Sequence, residues 1–221
     1  MGKNVLRLLL ILITAQSSYA AVFDGRPLSA TVNRPAEVGS GDFHFYYYGA
    51  ATWQWTFPEG GYTGVNFDPT DNLGDDWSNS YEVVYVDSLW NYDADGDYET
   101  TLYICANKGG VPDFDNPLYS YGPFCVPWVN GEWDSVYIDP PLPFYGGEIF
   151  WVLFSIAPEN GRPITDGDGN SGHSWYSPDG YDWVLFDGYG GADWVQGVFA
   201  DGLEVENVAT ESFGGIKVLY R

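Results

Sequence analysis

The sequence predicts an all-β protein, an antiparallel β-sandwich of jelly-roll-like form. Three observations lead there. The 28 glycines and 14 prolines are spread so evenly that no long helix fits between them. The runs they bound are rich in Tyr, Trp, Phe, Val and Thr, residues that pack well on a pleated surface. Those runs are short, follow one another with turn signals between them, and show no internal repeat. A hydrophobic content of 45% supplies a core and excludes an acidic disordered chain.

Residues 1–20 read as a secretory signal peptide, with Lys3 and Arg7 before an apolar stretch and small residues Ser18 and Ala20 at its end. The apolar part is too short to span a bilayer, which takes about 20 residues. Residues 21–41 carry prolines and read as an extended lead-in. The sandwich is expected over 42–200, followed by an acidic linker and a short basic strand or tail over 201–221.

Within the sandwich, Phe43, Phe45 and Tyr47 alternate with His44, Tyr46 and Tyr48. Trp53, Trp55 and Phe57 alternate with Gln54 and Thr56, a half-buried strand pattern. Pro58, Gly60 and Gly61 break that run, and 68–80 reads as an acidic loop containing Trp77. Strands are expected at 81–90 and 101–106, joined by the loop NYDADGDYET. The stretch 108–124 reads as a wide loop, and 133–139 as a short strand. The run 149–157 is the most apolar after the signal peptide. Trp151 and Leu153 lie on one face, and Phe150, Val152, Phe154 and Ile156 on the other. Such a strand belongs in mid-sheet, covered on both sides. The aromatic strands HSWYS (173–177) and DWVLF (182–186) follow, joined through Asp179-Gly180, and DWVQGVFA (193–200) is the last strand of the body.

The chain has 31 acidic and 8 basic residues, a net charge of −23. Without a basic patch, nucleic acid and anionic membranes are excluded as partners. An acidic surface suits solubility or divalent cations. The cysteines are Cys105 and Cys125, and export to an oxidising compartment predicts one disulfide between them. The last six residues, IKVLYR, are basic and alternate, so they read as a peripheral strand for an acidic sheet edge of this or another chain, or as a sorting signal.

From about 81 to 200, the order of elements resembles a jelly-roll domain common in secreted bacterial multidomain proteins, akin to carbohydrate-binding modules. The features that carry the resemblance are Val111-Pro112, Gly-Glu-Trp-Asp-Ser-Val at 131–136 and Gly-Glu-Ile-Phe-Trp-Val at 147–152. Asp166, Ser-Trp-Tyr at 174–176, Asp179-Gly180 and Trp183 complete them. The resemblance implies a sandwich fold. It leaves the role open, since one scaffold hosts many functions.

Two constellations could carry binding. Asn91, Asp93, Asp95, Asp97 and Glu99 surround Gly96, and Asp166, Asp168 and Asn170 alternate with glycines. Oxygen ligands at such spacing can wrap calcium, the expected cofactor, with the first loop ranked above the second. The other constellation is aromatic. Trp175, Tyr176, Tyr181, Trp183 and Trp77 are the candidates for stacking on sugar rings, against the alternative that aromatics are core packing. No catalytic constellation is read. Only His44 and His173 occur, and there is neither a GxSxG elbow nor an HExxH pair.

The expectation is a secreted or cell-surface, non-enzymatic module for glycan recognition or surface attachment, with a glycan or cell-surface polymer as partner. Its alternatives are a structural or adhesive envelope protein acting through protein contacts, and a glycoside-acting enzyme.

Overall fold

The computed structural model describes residues 24–32, 43–72, 80–90, 98–126, 133–159, 161–167, 169, 171–186 and 192–202. In chain order the strands are β1 (Asp24–Val32), β2 (Phe43–Tyr46), β3 (Ala51–Thr56), β4 (Gly61–Phe67), β5 (Tyr81–Leu89), β6 (Tyr98–Lys108) and β7 (Val111–Pro112). They continue as β8 (Tyr119–Val126), β9 (Trp133–Phe144), β10 (Phe150–Ile156), β11 (Ile164–Asp166), β12 (Ser174–Ser177), β13 (Val184–Leu185) and β14 (Gln196–Gly202). One short helix, α1 (Pro69–Asn72), follows β4.

Two sheets face each other. One runs β2-β14-β5-β9; the other runs β13-β12-β4-β10-β6-β7, with β8 also pairing with β6. The named strands pair antiparallel throughout. Set side by side, β2-β14-β5-β9 and β4-β10-β6-β8 interleave in sequence as a jelly roll does. A third sheet, β1-β3-β11, is stapled to the others by the bridges Trp90↔Pro163 and Thr165↔Trp194.

The main core fills the space between the two large sheets. Phe45, Val83, Val198 and Ala200 come from one side, and Val65, Leu102, Ile104, Val152 and Phe154 from the other. Strand β10 lies between β4 and β6, as its two apolar faces predict. Phe150, Val152, Phe154 and Ile156 enter the main core, while Trp151 and Leu153 start a second cluster with Cys105 on the outer face. In β5 a register shift between Val83 and Tyr85 turns Val86 inward beside Val83, so period-two alternation breaks there.

Several stretches read as non-strand lie in strands. Residues 24–32 of the lead-in pair with β3, 98–100 of the loop NYDADGDYET open β6, and 111–112 and 119–124 of the wide loop fall in β7 and β8. β8 was hidden because it is mostly exposed and contains Gly122 and Pro123, which read as turn signals.

The disulfide is corrected. Cys105 sits opposite Trp151, buried, and Cys125 sits opposite Glu99, exposed; both are free thiols. Positions 99 and 105 of β6 are separated by about 20 Å at strand rise, while a disulfide needs Cα atoms within about 7 Å. Adjacent strands carry the two cysteines, but the register keeps them apart. Burial, aided by the Asp113 charge, pushes the Cys105 thiol up to about 12, which makes it inert. In the native protein a maleimide should label Cys125 rapidly and Cys105 only after unfolding. Recovery of peptides joined through the two cysteines would contradict this register.

Candidate functional site

The outer face of the larger sheet carries an aromatic platform. Trp175 on β12 lies opposite Gly64 of β4 and Leu185 of β13. Trp183 lies over Gly64, where a Cβ would stand 2.6 Å from its ring. The missing side chain at 64 therefore lets the indole lie down on the sheet. Trp151 forms the floor, its ring centroid 5.8 Å from those of both Trp175 and Trp183. Beyond Trp183, Phe114 meets Tyr62, Tyr103 and Tyr181 edge-on, at 5.0, 5.2 and 5.8 Å.

The turn between β12 and β13 is held by Asp179. Its Oδ1 accepts the backbone N–H groups of Tyr181 and Asp182, both at 2.9 Å. Those bonds hold the carboxyl below the usual carboxylate range. Gly180 adopts φ +88°, and a Cβ there would meet Phe114 at 2.5 Å. Trp183 donates its indole N–H to the Gly180 carbonyl at 2.9 Å. Tyr181 stands at the tip, 60% exposed, and its hydroxyl donates to Asp115 Oδ1 at 3.0 Å. That bond, with the charge of Asp115, raises the Tyr181 phenol above its ordinary value.

Three of the aromatic candidates, Trp175, Tyr181 and Trp183, thus share this face. Tyr176 does not. It is buried in the main core, stacked on Phe57 at 4.7 Å, with its hydroxyl donating to the Gly60 carbonyl. Adjacent residues of a strand point to opposite faces, so an outward Trp175 sends Tyr176 inward. Trp77 lies outside the described residues. Sequence reading missed Tyr62, Tyr103 and Phe114, since the glycines of β4 and the loop around 114 masked the surface they share.

Of the calcium candidates, Asn91, Asp93, Asp95, Asp97, Asp168 and Asn170 lie outside the described residues. Glu99 is exposed on β6. Asp166 is 2% exposed; its Oδ2 accepts Gly49 N–H at 2.5 Å and its Oδ1 accepts Asp193 N–H at 2.9 Å. Among the described residues, no group of three or more His, Cys, Asp or Glu side chains is placed to hold a metal.

Asp166 belongs to a second feature, an open cleft of about 400 Å³ lined by Tyr47, Tyr48, Gly49, Asp166, Gly169, Ser171 and Asp193. Asp193 accepts from Ser171 N–H, Ser171 Oγ and Ser174 Oγ. Burial outweighs these bonds and raises its carboxyl above the ordinary 3.8. Beside it His173 stacks on Tyr47, centroids 3.8 Å apart and planes at 2°. Its Nδ1 donates to the Asn66 carbonyl at 3.0 Å, and its Nε2 lies 3.0 Å from Asp71 Oδ2. Both carboxylates of the cleft are occupied by the chain's own donors, so they brace loops.

No family model and no curated protein matches the chain. A solved structure of the cysteine protease and lectin-like domains of Cwp84, a surface layer associated protein of Clostridium difficile, is similar in fold. It has 12% sequence identity and a TM-score of 0.52 over 75% of this chain. The match spans 37% of that chain, well under half its length. At that identity the likeness concerns the all-β fold alone.

Proposed function

We propose that the chain is a secreted, non-catalytic β-sandwich module that recognises glycan, or attaches to a glycan-bearing surface, through the outer-face platform. The observation that carries this reading is Tyr181. It is 60% exposed, fixed at its hydroxyl by Asp115, and backed by Phe114 and the Trp183 turn. A flat ring held in one orientation can stack on a sugar face at little entropic cost, with neighbouring carboxylates accepting the hydroxyls. The fold likeness to a protein with a lectin-like domain and a surface-layer association supports the same reading.

A glycan array probed with the purified protein tests it. A defined set of glycans should be retained. Tyr181→Ala should weaken each about 30-fold, the effect of losing an aromatic hot spot of about 2 kcal/mol. Its melting temperature should match the parent's, because the ring is exposed. A blank array with a folded protein would overturn the reading. It would favour the protein-contact alternative, which the exposed Tyr121 of β8 and Tyr137 of β9 support.

Calcium belongs to the same proposal. The loop at Asn91, Asp93, Asp95, Asp97 and Glu99 ranks first as its holder, because Asp166 in the second loop already accepts two backbone N–H groups. Excess calcium should raise the melting temperature over chelator at matched ionic strength. The gain is about 2.7 kcal/mol at a free concentration 100 times the dissociation constant. Equal melting temperatures would remove calcium from the account.

A further inference from the structure

We infer that the platform prefers a cationic glycan, one built of amino sugars whose amines are free. The inference rests on the glycan reading above and names the ligand class for that site. The rim is acidic. Asp115 holds the Tyr181 hydroxyl, Asp179 anchors the turn, and Asp182 is exposed between Tyr181 and Trp183. Lys108 lies 3.1 Å from Asp113 and offsets that carboxylate alone, so the rim stays negative.

The aromatic tip is tuned the same way. A phenol that donates to a carboxylate has a more electron-rich ring, and such a face attracts an ammonium group. Burial is the main cause of the raised Tyr62 phenol and the Asp115 hydrogen bond that of the raised Tyr181 phenol, and the charge of Asp179 adds to both. A neutral sugar would meet the ring alone. An acidic sugar would meet repulsion from the rim and from a chain of net charge −23. A protonated amino sugar adds ion pairs to stacking, since its ammonium can reach a carboxylate while its ring face covers Tyr181.

The test is calorimetric titration of the full protein with four probes at low and moderate salt. They are an oligomer of glucosamine, its N-acetylated counterpart of equal length, an oligogalacturonate, and an oligolysine of equal charge. The glucosamine oligomer should bind about tenfold more tightly than the N-acetylated one, the ratio expected from two exposed ion pairs. The oligogalacturonate should not bind. The double variant Asp115→Asn, Asp182→Asn should bring the two neutral and cationic sugars within about twofold of each other. Tyr181→Ala should weaken both.

Equal or tighter binding of the N-acetylated oligomer, or binding of the oligogalacturonate, would overturn the cationic preference and leave the glycan reading standing. Absence of binding by every sugar would overturn both. An oligolysine as tight as the glucosamine oligomer, unaffected by Tyr181→Ala, would reduce the effect to bulk charge and overturn the inference.

Discussion

Trp151→Ala should lower the stability of the fold by about 3–5 kcal/mol, the range for removing a fully buried aromatic side chain. Trp151 is 0% exposed near the start of β10, flanked by Asn66 on β4 and Cys105 on β6. Its loss would open a cavity beneath Trp175 and Trp183, which rest against it, and would strip Leu153 and Cys105 of their neighbour. The indole N–H bond to Asn107 Oδ1, 3.0 Å, would also go, but Asn107 is exposed and can turn to water. Most of the cost is therefore packing. Trp151→Phe, which keeps much of the volume, should cost clearly less. Denaturant unfolding of both variants checks this, and a cost under about 1 kcal/mol for the alanine would mean the outer cluster is not a packed core. The same variant should weaken glycan binding although Trp151 is itself fully buried, because the platform loses its floor.

The legible part of this fold is the part governed by period two. The run at 149–157 declared both faces of β10, and the structure fills each with a separate cluster. What depended on register was not legible. Cys105 and Cys125 lie on paired strands, and only the offset between those strands decides that they cannot meet. β4 was obscured by Gly60 and Gly61, which read as breaks at its start, and its Gly64 is where Trp183 lies against the sheet. In β5 one register shift moves Val86 inward and leaves no mark in composition. The platform was half visible. Trp175, Tyr181 and Trp183 come from one hairpin, whereas Phe114 and Tyr103 reach it only through the pairing of β10 with β6 and the fold-back of the loop after β7. Asp193 gave no signal, because each of its partners is 19 to 27 residues away.

Asp193→Ala is expected to cost about 3–5 kcal/mol, since hydrogen bonds to a charged group contribute about 1.5–3 kcal/mol each and do not add fully. Asp193 is 2% exposed and ties the loop leading into β12 to β11. Its carboxylate accepts from Ser171 N–H and Oγ and from Ser174 Oγ, and its own N–H donates to Asp166, which in turn accepts from Gly49. Ser174 Oγ also accepts Trp194 N–H at 3.0 Å. The alanine variant leaves the fully buried Ser174 hydroxyl without its acceptor and loosens the loop leading into β12. The pH dependence separates this electrostatic role from simple packing. Burial raises the Asp193 carboxyl above its ordinary 3.8, so the native state binds the proton more tightly than the unfolded chain does. The parent therefore gains stability from this group as pH falls through its raised native value towards 3.8. Well above that native value, where the carboxyl is ionised in both states, that gain is absent. Asp193→Asn cannot take up the proton, so its deficit relative to the parent should widen as pH falls across that window. Paired unfolding curves at successive pH values measure the difference, with the other carboxylates cancelling between the two proteins. A deficit that narrows instead would mean that the three serine donors outweigh the cost of burying the charge.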